Sequence, residues 1–384
     1  MEPGLVEADV DPLIRIGTSG WSYPSWVGPF YPAGTPASRL LGAYAASFWA
    51  VEAHSTFRRL PTAAAVERWA AAVPPGFRFA PKAHAGITHR RDPEGLAERV
   101  EAFYRALAPL GDRLGPVLYV LPHRRPDLAR LDALLGALGG RSGAVFELGP
   151  AWRVEPVLDR LAAAGASLAL VDRDDDPALD RTFSGPLAYA RLRREGYGDG
   201  DLAGWATRLV AETEGGRRPV FAFLKHDEEG YGPRYARALV GHVDEVMVTA
   251  LLGRAPQGAF EVAVRRPDGR PLVIRNQPLL DDGTPMPTRY WLVDEDLRRA
   301  VSGLEAAGGV RAAEAAVDPE ALRQAHARYA AERDAALPAG HTGPRPSGGV
   351  GGTRVGVKCL HAHLAWHLAG GDDPVGRWVE GQLR

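Results

Sequence analysis

Residues 144–172, AVFELGPAWRVEPVLDRLAAAGASLALVD, contain the unit that decides the fold. AVFEL (144–148) and LALVD (168–172) are short, nearly continuous apolar runs, and the stretch between them, about 154–164, reads as a helix with Pro156 in its first turn. Strands that are apolar on both faces belong to a sheet covered on both sides, and strand, helix, strand in that order is a parallel βαβ unit. The same grammar extends in both directions. Strand-like runs recur at Ile14–Gly17, Val51–Ser55, Arg78–Ala83, Val117–Leu121, Ala188–Leu192 and Val220–Lys225, with helical spacing near 40–48, 66–73, 95–109, 127–138, 201–213 and 233–242. Eight such units over about 230 residues predict a TIM-like (β/α)8 barrel across 14–242, with an open doubly wound sheet as the competing arrangement.

After Gly241 the pattern changes. GAFEVAVRR and RPLVIRN alternate polar with apolar residues around Pro267-Asp268-Gly269, which predicts an antiparallel hairpin, and TRYWLV (288–293) a third strand. Helices are expected over 294–306 and 318–336, the second opened by Asp318-Pro319-Glu320. A Gly- and Pro-rich stretch (338–356) leads into a last helix over 357–369, stopped by Gly370-Gly371. The expected organisation is a disordered tail (1–13), the barrel (14–242) and a smaller α+β domain (243–384).

The chain has 384 residues, 46 basic and 47 acidic, so no bulk charge draws it to nucleic acid or an anionic membrane. A single cysteine, Cys359, excludes an internal disulfide framework and suits a reducing, cytoplasmic setting. No stretch approaches 18 uninterrupted apolar residues, so no membrane partner is expected.

In a β/α barrel the reactive groups lie at the carboxyl ends of the strands. That rule selects Thr18, Ser19 and Trp21; Glu52 and His54; Lys82 and His84; His123; Glu147 and Trp152; Asp172 and Asp174; Arg191 and Arg193; and Lys225, His226 and Asp227. Glu52 and His54 share a face. If that face is the interior, Glu52, His54, Glu147, Asp172 and His226 form an acid/base set, of which His54, Glu147 and Asp172 also have the chemistry of ligands for a divalent metal. Lys82, Arg191, Arg193 and Lys225 would meet an anionic small molecule or nucleic acid; the alternative is an internal salt-bridge network. Trp21 heads an aromatic loop with Tyr23, Trp26, Phe30 and Tyr31, which either stacks on a substrate ring or packs down as a cluster.

GTSGWSYPSWVGPFYP (17–32), VEAHSTFRRLP (51–61), WAAAVPPGFRFAPKAHAGITH (69–89) and LGPVLYVLP (114–122) resemble the YecE-like family, domain of unknown function 72, over about 14–240. The resemblance implies a TIM-like barrel of unsettled activity, compared with metal-dependent barrel enzymes acting on DNA or sugars. The chain departs from that pattern at His54-Ser55-Thr56-Phe57-Arg58, where Asn-Ser-Thr-Phe-Tyr is expected, and at Leu148-Gly149, where Arg often follows the glutamate. RNQPLLDDGTPMPTRYWLVD (275–294), AHARYAAERDA (325–335) and GVKCLHAHLAWHLAGG (356–371) resemble the domain of unknown function 501 family, which implies no chemistry.

In the second domain Cys359, His363 and His367 recur every four residues, so a helix over 357–369 would stack them on one face as metal ligands or a nucleophile site, or bury them in a core. SGGVGGT (347–353) could cradle an anion, although it lacks the Gly-Lys-Ser/Thr ending of a P-loop. The leading expectation is a hydrolase of phosphoester or glycosidic bonds at the barrel mouth. Its rivals are a nucleic-acid- or nucleotide-binding protein whose second domain docks a partner, and an activity carried by Cys359 and its histidines.

Overall fold

The computed structural model describes residues 10–90, 92–122, 125–213, 218–225 and 229–384. Two compact units, Asp11–Val243 and Asp244–Arg384, divide the chain.

The first unit contains β1 (Ile14–Thr18), β2 (Ala50–Ala53), β3 (Arg78–Pro81), β4 (Val117–Val120), β5 (Ala144–Glu147), β6 (Ser167–Asp172), β7 (Ala188–Leu192) and β8 (Val220–Leu224). All eight runs read from the sequence form strands, each within two residues of the expected ends. The α-helices are α1 (Leu40–Ala45), α2 (Ala63–Ala71), α3 (Ala85–Thr88), α4 (Leu96–Leu107), α5 (Leu128–Leu138), α6 (Glu155–Ala163), α7 (Asp199–Ala211) and α8 (Tyr231–Leu252). Thr62 and Asp127 cap α2 and α5 by accepting a backbone N–H of the first turn.

Six strands pair in parallel in the order β1-β8-β7-β6-β5-β4, forming a curled half-barrel, and β2 and β3 form a parallel pair of their own. Continuous ladders therefore do not run round an eight-strand cylinder. Between β1 and β2 there is one bridge, Ser19 with Glu52, and between β3 and β4 there are bridges from Phe79 to Leu114 and from Lys82 to Leu118. The interruptions have identifiable causes. Pro81 and Pro116 carry no N–H to donate at the β3/β4 seam. At the β1/β2 seam the Tyr44 hydroxyl inserts into the ladder, accepting the Thr18 N–H (2.7 Å) and donating to the Ala50 carbonyl (3.0 Å).

One inward-facing layer is shared by seven strands: Ala50, Ala80, Leu118, Val145, Ala169, Tyr189, Phe221 and Phe223 pack as one buried cluster. The alanines of β2, β3 and β6 leave room for the rings of β7 and β8. This layer fixes the parity of every strand, because residues two positions further on must face the same way.

In the second unit β9 (Phe260–Arg265), β10 (Pro271–Asn276) and β11 (Tyr290–Leu292) form an antiparallel sheet in the order β11-β10-β9, with Gly269 at φ 86° closing the expected hairpin. Five helices follow: α9 (Glu295–Ala306), α10 (Gly309–Ala316), α11 (Pro319–Ala335), α12 (Leu360–Leu368) and α13 (Pro374–Leu383). Two of them, α10 and α13, are not anticipated by the sequence reading. Asp294, Asp318 and Asp373 cap α9, α11 and α13. Leu272, Tyr290, Tyr329, Leu360, Leu364 and Trp366 are buried together at the centre of this unit.

Gly17 has no space for a side chain: a Cβ there would lie 1.9 Å from the Ala50 carbonyl oxygen and 2.7 Å from the Tyr44 hydroxyl. Gly17→Ala should push β1 off β2 and destabilise the fold by about 1–3 kcal/mol, the usual range for overpacking. Chemical denaturation of the two proteins checks this.

Candidate active site

Counting by twos from the inner layer gives the residues at the carboxyl ends of the strands. Ala50 leads to Glu52 and His54, Ala80 to Lys82, Val145 to Glu147, Ala169 to Arg173, and Tyr189 to Arg191 and Arg193. These side chains meet in one network centred on Arg191. Its Nε lies 3.0 and 2.9 Å from the two oxygens of Glu52, its Nη2 lies 2.9 Å from Glu52 Oε2, and its Nη1 donates to Glu147 Oε2. Arg193 Nη2 donates to Glu52 Oε1 (2.9 Å) and to Ser19 Oγ (2.6 Å). Arg173 Nη2 donates to Glu147 Oε1 (3.1 Å), and the Lys82 ammonium sits 4.2 Å from the centre of the Phe57 ring.

Glu52 is fully buried, and Glu147 and Arg191 nearly so. Burial opposes ionisation of both glutamates, but the guanidinium groups of Arg191 and Arg193 outweigh it. They hold Glu52 well below the usual carboxylate range and lower Glu147 as well. Burial would also discharge Arg191, yet Glu52 and Glu147 overcome it and raise its pKa. Arg193 is brought down to about 10 by burial and by Arg191, and Lys82 is lowered for the same two reasons. Among the described residues, two carboxylates thus face four cations, Arg173, Arg191, Arg193 and Lys82, which leaves a surplus of positive charge in this network.

His54 Nε2 is 3.1 Å from Glu52 Oε2 and 3.4 Å from Arg191 Nη2. Arginine can only donate, and the carboxylate contact is the shorter, so the geometry favours Nε2–H donating to Glu52, with the lone pair on Nδ1. The His54 side chain is 30% exposed, against 0% for Glu52.

Other residues selected from the sequence lie elsewhere. Asp172 does not join the network: alternation turns it to the opposite face from Arg173, where it accepts the Ala178 N–H (2.8 Å) and the Tyr197 hydroxyl (3.0 Å) and pairs with Arg194 (2.9 Å). It ties down the loops after β6 and β7. Lys225 pairs with Glu195 (2.7 Å) on a cleft of about 500 Å³ lined by Arg194, Tyr197, Tyr231 and Tyr235. Trp21 packs edge-on against Trp69 and Phe79, while Trp26, Phe30 and Tyr31 are buried with Tyr44 and Phe48, so the aromatic loop is a packed cluster. His84 caps α3 through the Gly86 N–H. His123, His226 and Asp227 lie outside the described residues.

In the second unit the expected Cys359, His363 and His367 face does not form. Helix α12 begins at Leu360, and Cys359 precedes it in extended conformation (φ −155°), so four-residue spacing does not apply to it. His363 Nδ1 donates to Asp373 (2.7 Å) and His367 Nε2 pairs with Glu380 (2.9 Å), both joining α12 to α13 and its cap. Cys359 meets His361 and Glu305 instead. Among the described residues, these three alone place ligand-type side-chain atoms within 4.8 Å of one another. In the SGGVGGT loop the Val350 N–H donates to His326 Nδ1 (3.0 Å) and the Gly349 N–H to the Thr353 carbonyl (2.7 Å). These two N–H groups are taken up within the fold, and Val350 is fully buried.

Residues 15–258 match the family described as protein of unknown function DUF72, and the chain belongs to that family. Residues 262–381 match a second family, protein of unknown function DUF501. UPF0759 protein YecE of Escherichia coli is 33% identical over 110 residues, which is 29% of this chain and 38% of that relative, so the likeness spans well under half of the relative's length. A DUF72 family protein of Thermotoga maritima shares the fold at TM-score 0.52 and 23% identity over 60% of this chain and 99% of its own. One from Enterococcus faecalis does so at 0.50 and 18%, over 60% and 95%.

The network generates a stability prediction. Because Glu52 and Glu147 are held below the ordinary value of 4.5, the stability they confer is complete above that pH and is lost as pH falls below it toward their folded values. Glu52→Gln should cost about 3–5 kcal/mol at neutral pH by stranding buried guanidinium charge, and should flatten the acid limb. Urea denaturation as a function of pH measures both effects.

Proposed function

We propose that the strands of the first unit close into a full (β/α)8 barrel whose mouth binds a phosphoester and hydrolyses it, with His54 as general base. Closure is supported by the bridges at both seams and by Arg191 of β7 reaching glutamates of β2 and β5 at once. The observation that carries the chemical reading is the net positive charge among the described residues beside a partly exposed imidazole oriented by a buried carboxylate. Cations fixed around an anion are what phosphoryl transfer requires, since its catalysis is largely positioning and charge stabilisation.

A glycosidase is disfavoured by the same geometry. It needs one carboxylic acid kept protonated to serve the leaving group, whereas Glu52 and Glu147 share one guanidinium and are both held ionised. A divalent metal shared by the two glutamates would compete with Arg191 for the same oxygens, so the reading is metal-free. In the proposed step water attacks phosphorus, its proton passes to the His54 imidazole, and the P–O ester bond breaks. The leaving oxygen takes a proton from Lys82 or solvent, while Arg191, Arg193 and Lys82 hold the phosphoryl oxygens. Glu52 positions His54.

The test is release of p-nitrophenol from p-nitrophenyl phosphate, bis(p-nitrophenyl) phosphate and p-nitrophenyl glycosides. Turnover of a phosphate substrate should fall about 100- to 10,000-fold in His54→Gln with the melting temperature unchanged, and Lys82→Met should raise KM. Glycoside cleavage, or undiminished turnover in His54→Gln, would contradict the proposal.

The tyrosine cleft favours a second reading, a nucleotide-binding protein without turnover. Tyr231 and Tyr235 stack with centroids 6.1 Å apart, and Arg194 and Lys225 flank them. Salt-sensitive binding of AMP by a catalytically silent protein, lost in Tyr235→Ala, would support that reading over hydrolysis.

A further inference from the structure

Three kinds of metal-ligand donor, a thiol, an imidazole and a carboxylate, converge between α9 and the start of α12. His361 Nδ1 lies 3.7 Å from Cys359 Sγ and 3.2 Å from Glu305 Oε1, and all three atoms fall within 4.8 Å of one another. Tetrahedral zinc with ordinary bond lengths separates a sulfur from a nitrogen by roughly 3.6 Å, and a nitrogen from an oxygen by roughly 3.3 Å. Two of the three sides of the triangle therefore already have coordination dimensions.

The surroundings orient each donor. His361 Nε2 faces the Arg298 carbonyl (3.2 Å) and Ser302 Oγ (3.3 Å), which presents Nδ1 to the other two groups, as the outer hydrogen bond of a metal-bound histidine does. Glu305 Oε1 is steadied by the Leu360 N–H (2.6 Å). Cys359 occupies the N-cap of α12 without making a side-chain capping bond, so its sulfur is not engaged as the usual Ser, Thr or Asp at that position would be. All three side chains are half-buried and reachable from solvent.

We propose that Glu305, Cys359 and His361 form a zinc-binding site with three protein ligands and a fourth position open to water. A thiolate with an imidazole selects zinc over magnesium or calcium, and three protein ligands with one open position is the arrangement of reactive rather than purely structural zinc. Binding converts the Cys359 thiol to thiolate and frees His361 Nδ1 of the proton it shares with Glu305, and both protons pass to solvent. This site belongs to the second unit and shares no residue with the network around Arg191, so its failure would leave the phosphoester reading intact.

Cys359 is the only cysteine in the chain, so thiol chemistry reports on this site alone. The experiment uses the full-length, untagged protein, stripped with chelator and titrated with Zn²⁺ or Co²⁺. Expected are one tightly held zinc per chain, a thiolate-to-cobalt charge-transfer band, and zinc protection of Cys359 from a disulfide reagent. Cys359→Ser and His361→Ala should weaken zinc by more than about 10-fold, a loss that even outer-shell changes reach. His341→Ala, whose imidazole faces the Pro344 carbonyl and is not among the three converging donors, should bind as the parent does. Failure to retain zinc, equal binding by Cys359→Ser, or a thiol that reacts at the same rate with and without zinc would overturn the proposal. The rate measurement is made on the unaltered chain, so misfolding of a variant cannot obscure it.

Discussion

A guanidinium buried between two carboxylates, one from the β2/β3 pair and one from the six-stranded curled sheet, organises the strand ends of the first unit. Arg191 on β7 is held by Glu52 on β2 and Glu147 on β5. Each partner alone would be an uncompensated charge in a low-dielectric interior, which is why the three must be kept together once they are buried. The apolar layer beneath them supplies the rigid floor, and strand parity carries the same inward direction up to Lys82, Arg173 and Arg193. Charge follows from this arrangement: among the described residues the glutamates offset two of the cations and leave the network with net positive charge.

The second unit also spends polar groups on construction. Asp373 caps α13 through the N–H groups of Val375 and Gly376 and accepts a hydrogen bond from buried His363, so one carboxylate fixes the packing of α12 against α13. His326 accepts from Val350 and faces the Gly356 carbonyl (3.0 Å), and burial lowers its pKa, so it remains a neutral spacer that shapes the glycine-rich turn. These histidines are consumed by the fold. His361 differs because it stands beside the one thiol and a carboxylate at a solvent-reachable edge.

Apolar runs located the eight strands, because strands covered on both faces leave an unmistakable sequence pattern. The seams could not be read that way: they depend on prolines at strand ends and on a tyrosine hydroxyl reaching in from α1. Glu52, His54, Glu147 and Arg191 were legible from their positions at strand ends. Arg193 was legible in the same way, whereas Arg173 needed the parity of the inner layer, which also turns Asp172 away, and that parity becomes visible only when the packed cluster is seen. For Cys359 the error was a helix start placed a few residues too early, which made the four-residue spacing look meaningful. The Asp373-Pro374 pair that opens α13 was a readable cap signal, and it explains why His363 and His367 are occupied.

The most direct test of the charged mouth is calorimetric titration with a non-hydrolysable phosphonate, p-nitrobenzylphosphonate, at several salt concentrations, into the parent protein and Lys82→Met. The account predicts saturable binding that weakens as salt rises and is weaker again in the variant. Absence of binding, or binding indifferent to both salt and Lys82, would contradict it.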